Sequence, residues 1–221
     1  MHKMFSGHGS SGPETAGLTL HNSLHYDIFS SLMGLGANQG NSRRVVELAQ
    51  IKPGDRVLDV GCGTGNLTQA AARNAGPEGG AQGIDASPEM IDLAQAKARR
   101  SGSQAAFSLG LMEKLDFPDA SFDVVISRLA MHHLPDDLKP QALAEVFRVL
   151  KPGGRLLIAD FNPSGNPVQN HVMSLLVGPM MEHANVSAYP ALLAAAGFAD
   201  VTSGPTGSAF LKYVTGMKPA I

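Results

Sequence analysis

Along the 221-residue chain, short β-like apolar runs alternate with amphipathic helical stretches from residue 55 onward. The runs at residues 56–60, 81–85, 105–109, 122–127 and 155–161 predict five strands. Between them, residues 67–74 read as a helix. Ser87 and Pro88 then supply an N-cap and a first-turn proline for a helix running to about Arg100. Residues 138–150 read as another helix, closed by the turn Lys151-Pro152-Gly153-Gly154. Further on, residues 172–183 and 189–196 look helical, while 199–203 and 209–215 predict a closing strand pair, the second member antiparallel. Upstream, Leu24, Ile28 and Leu32, then Val45, Val46, Leu48 and Ala49, predict two helices broken around residues 34–40. Strands alternating with helices imply parallel pairing and right-handed crossovers. The expected fold class is α/β, a doubly wound, mostly parallel seven-stranded sheet with a terminal antiparallel strand.

The length fits one domain over residues 21–221, with the helices of 21–50 ahead of the sheet. Residues 1–20, rich in Gly, Ser and His, predict a flexible N-terminal segment. A net charge of −2, few aromatics and no tryptophan argue against a nucleic-acid partner, which needs a basic face and stacking platforms. Cys62, the one cysteine, cannot form an internal disulfide, so a reducing compartment is expected. No apolar run approaches the ~20 residues that span a bilayer, and the first residues lack the apolar block of a signal peptide. These features predict a soluble, cytoplasmic chain, either a monomer or a homodimer.

Gly61, Gly63 and Gly65 fall between the first strand and the following helix. Without Cβ atoms they allow a sharp turn and a close ligand approach, while the helix directs unpaired N–H groups at that ligand. The alternative is a tight βα connection with nothing bound. Asp85 ends the second strand, beside the first in this topology, where a carboxylate can accept both hydroxyls of a ribose. A dinucleotide-binding turn has the same two features, but it calls for glycine where this chain has Asn66. Asp59, just before the first glycine, would repel a pyrophosphate. It suits a ligand carrying a sulfonium and an α-ammonium group.

VLDVGCGTGNLT (57–68), GIDASPEMIDLA (83–94), FPDASFDVVIS (117–127) and VLKPGGRLLIAD (149–160) resemble the successive motifs of class I S-adenosylmethionine-dependent methyltransferases. Within that class the chain is most similar to the ubiquinone/menaquinone C-methyltransferase-like group, type 11, including its HYDIFSSLMGLG segment (25–36). The resemblance implies a Rossmann-like methyltransferase fold and S-adenosyl-L-methionine as cofactor. By motif, Asp59, Gly61, Gly63 and Gly65 would line the methionine end with Thr68 nearby, and Cys62 would fill a small space beneath. Asp85 would hold the ribose, and Ala86 and Met90 would flank the adenine. Leu111, followed by Met112, stands where relatives often carry Asp or Asn followed by Ala, so the adenine-amine contact must come from elsewhere or be absent. Ser127 and Arg128 would face the methionine and the entering substrate.

Methyl transfer from a sulfonium is an in-line displacement that gains much from alignment and desolvation. A base is needed only if the acceptor must lose a proton. His132 and His133, just past the fourth strand at the carboxyl edge of the sheet, are the base candidates, His132 preferred; either could instead cap the following turn. Tyr26, with Asp27, could close over the cofactor or simply pack. His21 and His25 share a helical face, but no third ligand accompanies them, so no metal is expected. Asp160 and Asn162 could polarise an acceptor or satisfy their turn. A single cysteine also speaks against a thiolate-held arsenic acceptor. The methionine-rich stretch VMSLLVGPMMEH (172–183), within a substrate cover expected over 162–196, predicts a small, partly apolar methyl acceptor or else core packing. A lipid-like acceptor would bring peripheral membrane contact. Two rivals remain at this level: a catalytically inactive S-adenosylmethionine-binding regulatory protein, and a nicotinamide oxidoreductase, which Asp59 and Asn66 disfavour.

Overall fold

A computed structural model describes residues 39–162, 186–208 and 211–220, with side chains from Ser42 onward. The helix expected around Leu24–Leu32, the segment 172–183, and His21, His25, Tyr26 and Asp27 lie outside these residues. In chain order the elements are α1 (Gln39–Leu48), β1 (Arg56–Val60), α2 (Asn66–Ala75), β2 (Gly80–Asp85), α3 (Pro88–Ser101), β3 (Ala106–Leu109) and β4 (Phe122–Arg128). A 3₁₀ turn (Met131–His133) follows, then α4 (Lys139–Val149), β5 (Leu150–Phe161), a second 3₁₀ turn (Val186–Ala188), α5 (Tyr189–Ala195), β6 (Ala199–Pro205) and β7 (Leu211–Met217).

The strands form one seven-stranded sheet in the order β3-β2-β1-β4-β5-β7-β6. The first five pair in parallel, and β7 runs antiparallel to both β5 and β6. The expected architecture is therefore the observed one. Strand order reverses between β1 and β4, which opens a crevice at their carboxyl ends. Period-two alternation divides the core between the two faces. Leu58, Val125, Leu156 and Ile158 join one cluster, whereas Val57, Val124, Ile126, Leu157 and Ala159 join the other under α1 and α2. Val186, Tyr189 and Leu193 pack into the first cluster. No helix among the described residues is long and apolar enough to cross a membrane.

Local chemistry accounts for the element ends near the crevice. Ser87 Oγ accepts the Met90 N–H at 3.3 Å, with Pro88 in the first turn and left-handed Gly102 at the far end of α3. One boundary differs from expectation. Helix α4 ends at Val149, and Leu150 already pairs with Phe122, so the predicted turn 151–154 lies inside β5 as an irregularity. The register advances two residues on β4 while it advances five on β5. The surplus is held by the C-terminal segment, where Gly153 N–H donates to Lys218 O and Lys218 N–H to Gly154 O.

Candidate active site at the carboxyl edge of the sheet

Asp59 is the penultimate residue of β1 and is buried at 1% exposure. Thr68, in α2, donates its hydroxyl to Oδ2 at 2.7 Å, and Oδ1 has no hydrogen-bond partner among the described residues. Burial pushes this carboxyl up to about 6, against the pull of the Thr68 hydroxyl and the Arg128 charge. A buried, unsatisfied carboxylate oxygen is expensive unless something cationic meets it.

The three glycines of the turn do different work. Gly61 has φ +72°, and a Cβ there would lie 2.3 Å from Ala130 Cβ. Gly65, at φ +78°, would meet the Phe107 ring at 2.6 Å. Both are needed for close packing. Gly63, at φ +51°, has nothing within 4 Å of its Cβ position, so it alone borders open space. Gly61 and Cys62 both donate N–H to Ile84 O at 2.9 Å, which ties the turn to β2. Cys62 is buried against Gly83, whose Cβ would lie 2.8 Å from Cys62 Cβ. Burial, then the Asp59 and Asp85 charges, hold its thiol protonated, as befits a space-filling residue.

Asp85 is fastened by the same turn. Its Oδ2 accepts the Gly63 N–H at 2.8 Å and its Oδ1 accepts the Ser87 N–H at 3.0 Å. Burial raises its carboxyl above the usual range, and these backbone donors hold it down in part. Ala86 follows it in the bend before α3, and Met90 is buried one turn on. Leu111 forms an isolated bridge with Lys114. Met112 is buried with its Cε 3.6 Å from the Gly61 Cβ position. The buried Ser127 hydroxyl donates to Val60 O at 3.0 Å, which cross-links β4 to β1. Arg128 Nη1 donates to Ser42 Oγ at 3.0 Å.

The chain then leaves β4 through Leu129, a non-glycine residue at φ +56° whose N–H donates to Ala159 O at 2.9 Å. Such a conformation costs about 1–3 kcal/mol and persists only where the surroundings impose it. It carries the 131–133 turn over β5. There His132, 1% exposed, places Nδ1 2.7 Å from Asp160 Oδ1. The His132 N–H also donates to Asp160 Oδ2 at 3.1 Å, as does the Tyr189 hydroxyl at 3.1 Å. His132 Nε2 and His133 Nδ1 are buried without partners among the described residues. Burial, then the His132 charge, lower His133 to about 4, which makes it a poor proton acceptor near neutral pH.

Sequence reasoning placed His132 and Asp160 separately and left their meeting unseen. Parallel neighbours with Arg128 opposite Ala159 bring the residues that follow this pair together, so the pairing was readable once β4 and β5 were adjacent. Tyr189 arrives from α5, far along the chain, and no sequence signal pointed to it.

A family model described as a methyltransferase domain matches residues 51–196. The chain belongs to that family. Its sheet order and glycine turn are those of the class I S-adenosylmethionine-dependent methyltransferases, whose cofactor is S-adenosyl-L-methionine. A demethylmenaquinone methyltransferase from Lactobacillus johnsonii is 37% identical over 146 residues, covering 65% of this chain and 59% of that enzyme. A ubiquinone/menaquinone biosynthesis C-methyltransferase from Burkholderia mallei is 34% identical over 145 residues, covering 66% and 59%. The match therefore spans about three-fifths of those relatives. Among solved structures, a SAM-dependent methyltransferase from Aquifex aeolicus shares the fold, with a TM-score of 0.68 and 22% identity over 87% of this chain and 97% of that one. The residues present fit the cofactor. Asp59 Oδ1 lacks a partner among the described residues, one that an α-ammonium group would supply, and the cradle borders open space at Gly63.

Proposed function

We propose that this methyltransferase moves a methyl group from S-adenosyl-L-methionine to a small, partly apolar organic acceptor. The observation that carries this reading is the buried Oδ1 of Asp59, without a partner among the described residues, in the same turn region as the open face of Gly63. It is a waiting counter-charge for an α-ammonium group. When bound, the cofactor supplies an electrophilic methyl on a sulfonium. Asp59, Gly61, Gly63 and Gly65 form the methionine end, with Thr68 orienting Asp59 and Cys62 filling the floor. Asp85 receives the ribose hydroxyls, pre-oriented by the Gly63 and Ser87 N–H groups. Ala86, Met90, Leu111 and Met112 surround the adenine, and Ser127 braces β4 against β1. His132, whose Nε2 has no partner among the described residues, is the base in preference to His133. From sequence alone, we assign to Tyr26 closure over the cofactor and to the methionine-rich stretch 172–183 the cover of a partly apolar acceptor.

Calorimetry with S-adenosylhomocysteine, and its release from S-adenosylmethionine with a pool of small acceptors, test the reading. Asp85→Ala is expected to abolish binding. His132→Ala should leave binding intact and lower turnover. Tight NADH binding in place of S-adenosylhomocysteine would overturn the cofactor assignment. Cofactor binding without turnover on any acceptor would favour a regulatory protein.

A further inference from the structure

The carboxylate of Asp160 is fully employed. Its Oδ1 lies 2.7 Å from His132 Nδ1 and accepts the Phe161 N–H at 2.8 Å, and its Oδ2 accepts the His132 N–H and the Tyr189 hydroxyl, each at 3.1 Å. Burial alone would raise its pKa, but the His132 charge and these donors outweigh it and hold the carboxyl below its ordinary value. An ionised carboxylate only accepts, so His132 Nδ1 must carry the hydrogen of their shared bond. Nε2 is then the one ring nitrogen left over, buried and without a partner among the described residues. Phe161 packs on the ring at 5.0 Å between centroids, which restricts its rotation.

We propose that Asp160 and Tyr189 are positioning residues that fix His132 as the Nδ1–H tautomer with Nε2 as proton acceptor, so the methyl acceptor is one that gives up a proton, an O–H, N–H or activated C–H group. This rests on the methyl-transfer reading above. The acceptor's X–H bond breaks and its proton moves to Nε2. The freed electron pair forms the bond to methyl carbon, and the carbon–sulfur pair stays on sulfur as the neutral thioether. The imidazolium so formed is balanced by Asp160. The Tyr189 hydroxyl remains a donor, because burial and then the Asp160 charge push its pKa far up. The titratable groups around His132 are Asp160 from β5, Tyr189 from α5 and His133 on the same turn, with ring centroids 4.1 Å apart. Beyond Tyr189 stand Lys139, whose Nζ is 5.8 Å from that ring, and its partner Asp136.

Two measurements on the full chain test this. The first is nitrogen-15 NMR of histidine-labelled protein with S-adenosylhomocysteine bound. The second is release of S-adenosylhomocysteine, with phenol and a primary amine as protic probes and a tertiary amine and a thioether as lone-pair probes. The wild type should show neutral His132 with Nδ1 protonated and Nε2 bare. Asp160→Asn should lose the preference for that tautomer and slow methylation of the protic probes by about a hundredfold. Tyr189→Phe removes one donor from Asp160 and should keep the Nδ1–H tautomer, with a rate loss under about tenfold. A wild-type Nε2–H tautomer, an Asp160→Asn variant with wild-type tautomer and rate, or lone-pair probes methylated as fast as protic ones would each overturn the proposal. If Asp160→Asn does not fold, the wild-type tautomer and the Tyr189→Phe rate decide. Loss of S-adenosylhomocysteine binding in the wild type would overturn the methyl-transfer reading and this role together, whereas binding with an Nε2–H tautomer overturns this role alone.

Discussion

If Asp59 is the counter-charge for the cofactor's ammonium group, its titration must be visible in cofactor affinity. Burial raises this carboxyl from 3.8 to about 6. At 1.36 kcal/mol per unit, that penalises the ionised form by roughly 3 kcal/mol. The sign follows from linkage: the folded chain holds this proton more tightly than the unfolded one. The contribution to stability is thus fully present below the unfolded value and is lost as pH rises through about 6. A bound ammonium reverses the preference, so binding below that value must first release a proton. About one-tenth of Asp59 is ionised one unit below its pKa and about nine-tenths one unit above it, so affinity should fall about tenfold, or ~1.4 kcal/mol, between pH 7 and 5. The assay is calorimetry with S-adenosylhomocysteine across that range, repeated with Asp59→Asn. The amide keeps an acceptor for the Thr68 hydroxyl but cannot ionise. The variant should bind weakly with a flat profile, and wild-type stability should fall relative to it by up to about 3 kcal/mol between low and high pH. His133, held near 4, does not titrate in this window. A wild-type affinity that is level from pH 5 to 7, or a variant with the wild-type slope, would refute the reasoning.

Other consequences concern the turn and the sheet's far end. Gly63→Ala meets open space and should cost about 1–2 kcal/mol through its left-handed backbone, measured by chemical denaturation, while cofactor affinity falls sharply. Gly61→Ala adds a clash with Ala130 at 2.3 Å and should cost more than about 3 kcal/mol on the same assay. Equal stability losses for the two would contradict the division of labour among these glycines. Lys218 Nζ donates to the carbonyls of Phe147 and Leu150 at 2.8 Å and lies 4.8 Å from the Phe147 ring, so it closes the end of α4. Lys218→Met should lower stability by about 2 kcal/mol with cofactor binding unchanged; a neutral effect on the melting curve would show that this cap is idle.

The alternation of apolar runs and helical stretches was enough to predict an α/β sheet with an antiparallel close, because period two and period 3.6 are written in neighbouring residues. The glycine turn, Asp59 and Asp85 were legible for a related reason: a strand, its turn and the next strand form one local unit. The start of β5 was misread, since Lys151-Pro152-Gly153-Gly154 has turn chemistry, and only the hydrogen bonds to Lys218 keep it in the sheet. The separate tasks of Gly61, Gly63 and Gly65 were equally hidden, because each depends on what a Cβ would meet across the fold.

Sequence alone determined the strand–turn–helix cradle, the acids beside it and the two histidines at the sheet edge, all specified by residues close together in the chain. Tertiary structure set their surroundings. It left Asp59 Oδ1 without a partner among the described residues, weakened His133 as a base by burying it, and joined His132 to Asp160 and Tyr189, residues 28 and 57 positions away. Burial and pairing set the charge and free valence of a side chain, and both arise from contacts between distant segments that no local pattern encodes.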